Sequence, residues 1–180
     1  MSTQKVLLYG ASFGGVLLIL NALVGAFSIL EAGTLLLVVM FLAIIVHVTI
    51  LWLLLQPLAG LWNKLKHALL FGLSAFLVYG LWIVAVFPVV FPSYYEDAAQ
   101  VEIAVFEADD TLTDEERETA IGLIESANNP FVTAGIEFFT LVIMSGIYGL
   151  IIALIQQNTN GSKSNQDREI LGESDSVFDS

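Results

Sequence analysis

The chain has no cysteine, so disulfide scaffolds, thiolate metal sites and cysteine nucleophiles are excluded. Basic residues are scarce: six lysines and arginines stand against 18 acids, for a net charge of −12. A nucleic-acid partner requires a basic stripe that tracks phosphates, and none exists. Charge of either sign is also thin, at 13% of the residues, whereas soluble domains carry about a quarter. Against these shortages, 57% of the 180 residues are hydrophobic. A chain this apolar and this acidic must segregate the two properties along its length.

The apolar residues fall into four runs, at 5–30, 34–56, 68–90 and 131–155. Each exceeds the roughly 18 residues that mark a membrane span. At about 1.5 Å per residue each is long enough to cross a hydrocarbon core of about 30 Å. Lipid offers no partner for backbone N–H and C=O groups, so the runs are expected to be helices. The fold class is therefore all-α, a four-helix transmembrane bundle. A cleaved signal peptide is the alternative for the first run, since Lys5 precedes it and Gly25 and Ala26 lie near its end. Its length, against about 7 to 15 apolar residues in a signal sequence, favours an uncleaved helix. Lys5, Lys64, Lys66, Lys163 and Arg168 fall on one side of such a bundle and Arg117 on the other. Basic flanks stay in the cytoplasm, so both termini are expected there. Trp52 and Trp62 bracket the turn at Gln56-Pro57, where indole rings suit the interface.

The segment 93–129 holds eleven acids and one base, and the tail 157–180 adds five acids and two bases. In the first segment, Ser93 followed by Glu96 and Thr113 followed by Glu116 match the helix-starting capping box. A helix over 94–106 and a second over 114–127 are predicted, joined at 108–112. Ala120, Ile121, Ile124 and Ala127 make the apolar stripe of the second. Together they form an acidic helical hairpin between the third and fourth spans. The run Asp109 to Glu116 invites a calcium reading, but it lacks the glycine at the sixth and the glutamate at the twelfth position of an EF-hand loop. Capping and a solvated acidic face explain it without metal. The tail, rich in Ser, Asn, Gln and acids, is expected to be disordered. Ile170-Leu171 and Val177-Phe178 are apolar pairs within it that suit either partner docking or a plain solubilising tail. Asn160-Gly161-Ser162 matches a glycosylation sequon, but a cytoplasmic tail leaves it unmodified.

Ionisable residues inside a span are functional candidates, and only His47 and Glu137 lie well inside the apolar runs. His47 lies about 20 Å along its span from the outer end and Glu137 about 9 Å along its own, too far apart for a direct ion pair. Ser145 matches His47 in depth, and Asn21, Tyr79 and Trp82 lie within about 8 Å of the depth of Glu137. A small polar cluster in the outer half of the bundle is expected, with Glu137 inward or toward water. It admits a structural reading, Glu137 bonded to Asn21, and a functional one, a proton or cation site. A single carboxylate and histidine at different depths do not make a relay, which favours the structural reading.

Packing signals are also present. Gly10 and Gly14, and Ala22 and Ala26, stand four apart on the first span, as do Ser145, Gly149 and Ala153 on the fourth. Small residues at that spacing let helices approach closely, so these two spans are expected to pack together or to form a homo-oligomer face.

Four spans with a large outer loop suggest comparison with tetraspanins, but the loop cysteines that define those proteins are absent. The chain resembles instead a bacterial family of small membrane proteins known as domain of unknown function forty-one ninety-nine. The likeness rests on Tyr9-Gly10 with Gly14-Gly15, the proline-ended third span, the charged segment leading to Pro130-Phe131, and the Gly-rich stretch Ser145 to Ala153. It covers about residues 5–156 and departs in the tail, where that family usually ends in basic residues. The resemblance implies a bacterial inner membrane, a periplasmic hairpin and no established activity.

No serine-histidine-acid set, phosphate-binding glycine loop or metal-ligand cluster appears, so no catalytic, cofactor or metal residues are assigned. The expected role is a non-enzymatic accessory or interaction subunit, with the lipid bilayer and a membrane protein or a second copy as partners. The alternative is a small oligomeric transporter or cation-conducting protein that uses the acidic hairpin and Glu137.

Overall fold

The structure is a computed structural model that describes residues 2–27 and 33–175, with side chains given except at 25, 27, 33–36 and 160–175. Every regular element among them is helical. α1 is Thr3–Phe27 and α2 is Gly33–Leu55. α3 covers Leu61–Val90 and contains a π-helical turn at Trp82–Val86. α4 is Tyr94–Glu107 and α5 is Asp114–Ala127. α6 covers 130–175 with a second π-helical turn at Phe139–Ile143. Four segments, Thr3–Val24, Leu37–Leu55, Leu61–Val90 and Pro130–Thr159, are long and apolar enough to cross a membrane.

The third of these begins at Leu61, seven residues before the start read from hydropathy. Lys64, Lys66 and His67 lie in its first two turns, so they belong to the helix and not to a connecting loop. Lys64 is buried, and its ammonium donates to Oε1 of Gln156 on α6. A long aliphatic stem lets a lysine near a span's end keep its charge on a polar partner while the stem packs on apolar surface. The turn between α2 and α3 thereby shrinks to 56–60, closed by Gly60 at φ 80, a left-handed backbone angle that side chains with a Cβ resist. Trp62, just past it, is 79% exposed and free to face an interface.

α6 continues as helix to Asp175, so the tail expected to be disordered from Gln157 is helical backbone to that point. A helix already nucleated by an apolar span extends one bond per residue, and no proline interrupts 157–175. Ile170-Leu171 lies on that extension, and Val177-Phe178 lies outside the described residues.

α3 is the hub of the bundle, with α1 packed along one side and α6 along another, while α2 leans mainly on α6. The expected pairing of the first and fourth spans is therefore corrected: both small-residue faces meet α3. A Cβ on Gly10 would overlap the Ser74 hydroxyl and the Phe71 carbonyl, and one on Gly14 would lie 3.0 Å from the Ala75 carbonyl carbon. On the other side, Gly149 presses against the Cβ of Ala68, and a Cβ on Gly72 would sit 2.6 Å from Oγ of Ser145. Ala153 is buried, whereas Ala26 is exposed and takes no part in close packing. The hub position follows from α3 itself, which carries Ala68 and Gly72 at one spacing of four and Phe71 and Ala75 at another. In lipid, where apolar burial gives helices no drive to associate, such close backbone contact is what holds them.

The first π-helical turn has a cause in Pro88, which lacks the N–H that would bond back to the preceding turn. The chain widens ahead of it, and the N–H of Phe87 bonds the carbonyl of Trp82. Phe87 is then fully buried as the root of the acidic hairpin. Its ring lies 4.9 Å from those of Phe91 and Tyr94 and 5.9 Å from those of Trp82 and Tyr95. Burial there pushes the Tyr94 and Tyr95 phenols above their ordinary pKa, so both remain neutral.

Of the two expected capping boxes, the one at Thr113 forms in both directions. The Ser93 box does not: its hydroxyl donates to Asp97 at 2.8 Å, and its backbone is already helical. Asn129 supplies a cap the sequence reading missed, accepting from the N–H groups of Phe131 and Val132 to start α6. The hairpin's single base, Arg117, donates to the carbonyls of Phe106 and Asp109 and to Asp114 at 3.1 to 3.3 Å, which clamps the 108–113 turn. Asp109 accepts from both the hydroxyl and the N–H of Thr111, so the acid-rich turn uses this carboxylate locally.

These bonds make a pH prediction. The Thr113 hydroxyl and N–H both donate to Glu116, which holds its carboxyl below the usual glutamate range. A depressed folded value means the cap contributes stability above roughly pH 4 and loses it as pH falls through that lower value. Amide exchange at Asp114 to Arg117 should accelerate below roughly pH 4 after correction for the intrinsic rate, and Thr113→Val should abolish that acceleration.

Candidate intramembrane polar site

Between α1, α2, α3 and α6, on the hairpin side of the bundle, lies a partly open cavity of about 330 Å³. Six polar side chains reach it: Asn21 from α1, His47 from α2, Tyr79 from α3, Tyr94 from α4, and Glu137 and Thr140 from α6. Its walls are otherwise apolar, including Leu17, Val39 and Ile44. The four polar residues singled out in the sequence separate here into two groups.

His47 and Ser145 form the floor. Nε2 of His47 lies 2.8 Å from Oγ of Ser145 across α2 and α6, the pair that counting helical rise puts at equal depth. The Ser145 hydroxyl donates to the carbonyl of Leu141 one turn back. A hydroxyl has a single proton, so when it serves the Leu141 carbonyl the histidine donates to Ser145 as the Nε2–H tautomer. Phe13, Phe71 and Tyr148 surround the imidazole at ring-centroid distances of 5.0, 5.4 and 5.5 Å. The remaining nitrogen, Nδ1, has no protein partner, and no enclosed side-chain polar atom among the described residues is unsatisfied. Nδ1 therefore borders open space, and His47 is a lining residue of the cavity.

Asn21 and Glu137 belong to the upper part, nearer the hairpin. Asn21 does not bond Glu137; its Oδ1 accepts from the indole N–H of Trp82 at 2.9 Å, tying α1 to α3. Glu137 lines the cavity with no ion pair or hydrogen bond to any described residue. It is the one carboxylate among the lining residues. The second π-helical turn begins two residues after it and includes Thr140 and Leu141, which also line the cavity. Such widened turns occur frequently at functional sites. Nothing in the local sequence marks this one, unlike the turn before Pro88. Among the described residues no three histidines or carboxylates converge as a metal-binding group.

A second polar layer lies at the opposite end, where Gln156 accepts from Lys64 and donates to the carbonyl of Trp52 at 3.4 Å. It joins α2, α3 and α6, and reading Lys64 as a loop residue hid it. Between the two layers the bundle is filled by Leu51, Leu55, Ala68 and Ile152, each at most 3% exposed. Fold and site together define an integral membrane protein with a hydrogen-bonded helical core and a partly open cavity, reached by six polar side chains, on one side. No family model, curated protein or solved structure matches the chain.

Proposed function

We propose that this protein is a non-enzymatic accessory or interaction subunit of the bacterial inner membrane. Both termini are cytoplasmic in this reading, and the acidic hairpin is periplasmic. The resemblance to domain of unknown function forty-one ninety-nine belongs to the same proposal. The observation that carries it is the apolar plug: Leu51, Leu55, Ala68 and Ile152 close the space between the His47 and Lys64 layers. A conducting protein needs polar groups or water across that interval, since a charge in hydrocarbon is costly. The buried polar groups on either side are instead fasteners between helices. The second reading, an oligomeric cation conductor, is favoured by Glu137 facing the cavity and requires a path formed between copies.

The test joins two measurements on the full chain. Affinity purification from native membranes is expected to retain a stoichiometric membrane-protein partner, and purified protein in liposomes is expected to pass no monovalent cations. Cation flux that disappears in Glu137→Gln, with no partner retained, would overturn the accessory reading and establish the second.

A further inference from the structure

We propose that the cavity beneath the hairpin is a binding site for an amphiphilic organic cation, an ammonium with an apolar body, whose charge sits at Glu137. The cavity's shape and chemistry both point there. Its volume of about 330 Å³ is within the roughly 300 to 1,000 Å³ range of small-molecule sites. The polar groups are at the two ends and the apolar walls between them, so the complementary molecule has a charged head and a greasy body.

At the upper end, the half-buried carboxylate of Glu137 opens onto the cavity and has no cation beside it among the described residues, although acidic side chains within a membrane span normally have one. The phenols of Tyr79 and Tyr94 line the same space, and tyrosine faces attract alkylated ammonium groups that cannot donate hydrogen bonds. A small inorganic cation is a poorer fit, because it needs several oxygens to replace its water and the site lacks a converging set of acids. Along the length, Leu17, Val39 and Ile44 offer apolar wall and no charge. At the floor, the aromatic cage around His47 ends the site, with Nδ1 available to accept one hydrogen bond from a ligand that carries a donor. An anionic ligand is disfavoured throughout, since no lining residue is a lysine or arginine.

Among the described residues α1 and α2 touch little, and the cavity draws Leu20 and Val24 from one and Met40 and Ile44 from the other. A ligand that partitions into the bilayer can enter between them. The acidic hairpin above, with eleven acids and one base in 93–129, raises the local concentration of cations, while only its Tyr94 lines the site.

The experiment uses the full chain in nanodiscs of uncharged lipid and measures binding of benzyltrimethylammonium by equilibrium dialysis. Neopentylbenzene, which replaces the charged nitrogen with carbon, reports the apolar contribution alone, and benzenesulfonate is the anionic control. Saturable binding of the ammonium at one site per chain is expected, with the hydrocarbon showing no more than lipid partitioning. Glu137→Gln should weaken the ammonium by about tenfold or more, the effect of deleting one charge partner in a poorly solvated site. Ala43→Phe, which retains the carboxylate and fills the cavity, should abolish binding. Thermal unfolding of each variant, followed by tryptophan fluorescence, shows whether the bundle is intact. The hairpin variant Asp110→Asn with Glu115→Gln and Glu118→Gln alters exposed acids away from the cavity and should retain binding. The proposal is overturned if ammonium binding is unchanged in Glu137→Gln, if it survives Ala43→Phe, if it vanishes in the hairpin variant, or if the wild type shows none. None of those results bears on the accessory reading, which stands or falls on partner retention and flux.

Discussion

Gly72→Leu is expected to dismantle the bundle, whereas Gly15→Leu, an equally hydrophobic change, is expected to leave it intact. The side chain at Gly72 would have to occupy space held by the Leu141 carbonyl, with Oγ and Cβ of Ser145 at 2.6 and 2.9 Å from its first carbon. Those atoms belong to the backbone or sit next to it, so they cannot move aside without separating α3 from α6. Overpacking that side chains can absorb costs about 1 to 3 kcal/mol, and this case belongs at or above the upper end. Against a total stability of roughly 5 to 15 kcal/mol, that loss is severe. A Cβ on Gly15 would meet nothing within 4 Å, and leucine is the better helix former by up to about 1 kcal/mol. Gly14→Leu, one residue away on the same helix, meets the Ala75 backbone and should behave like Gly72→Leu. Thermal unfolding in a mild detergent, read from tryptophan fluorescence, distinguishes the three. Equal midpoints for Gly14→Leu and Gly15→Leu would refute the hub arrangement.

The contrast between adjacent glycines shows what the sequence holds and what it does not. Four spans were legible because an uninterrupted apolar run of that length has few other stable fates in water. The depth match of His47 with Ser145 was legible too, because helical rise converts residue number into distance. The small-residue spacings announced close approach but not its partner: Gly10, Gly14 and Gly149 carry no mark saying that they meet α3. That information lies in the complementary row on α3, Ala68 with Gly72, which is a common pattern in any apolar helix and stands out only once α3 is central. The beginning of α3 was misplaced because lysines ordinarily flank spans, and the compensating acceptor, Gln156, lies 92 residues away. The cavity was partly legible. Depth alone grouped Asn21, Tyr79 and Glu137, but whether they bond each other or face a void depends on rotation about each helix axis, which hydropathy leaves undetermined in helices that are apolar all round. Asn21 turns to Trp82, and Glu137 is thereby left to the cavity.

Removing His47 and removing Ser145 should have unequal effects, although they share one hydrogen bond. Ser145→Ala leaves the Nε2–H of a 5% exposed imidazole without an acceptor, a loss of about 1 to 2 kcal/mol. His47→Ala leaves Ser145 still bonded to Leu141, so the serine is not orphaned. The damage is instead the hole among Phe13, Phe71 and Tyr148, and truncating a large core side chain costs about 2 to 5 kcal/mol. His47→Phe separates the two contributions, since it fills the space without a donor and should cost below about 1.5 kcal/mol. In that background Ser145→Ala has no donor left to strand, so its cost should shrink toward zero. The double-mutant cycle of His47→Phe with Ser145→Ala then isolates the bond: its coupling should match the cost of Ser145→Ala in the native background, about 1 to 2 kcal/mol, at the upper end for helix contacts in membranes. A coupling indistinguishable from zero would mean that the two side chains do not bond, and would remove the floor of the cavity. The direction of that bond is read separately, from the NMR shifts of the two imidazole nitrogens: a protonated Nε2 leaves the lone pair of Nδ1 toward the cavity, and a ligand there then meets an acceptor at the floor.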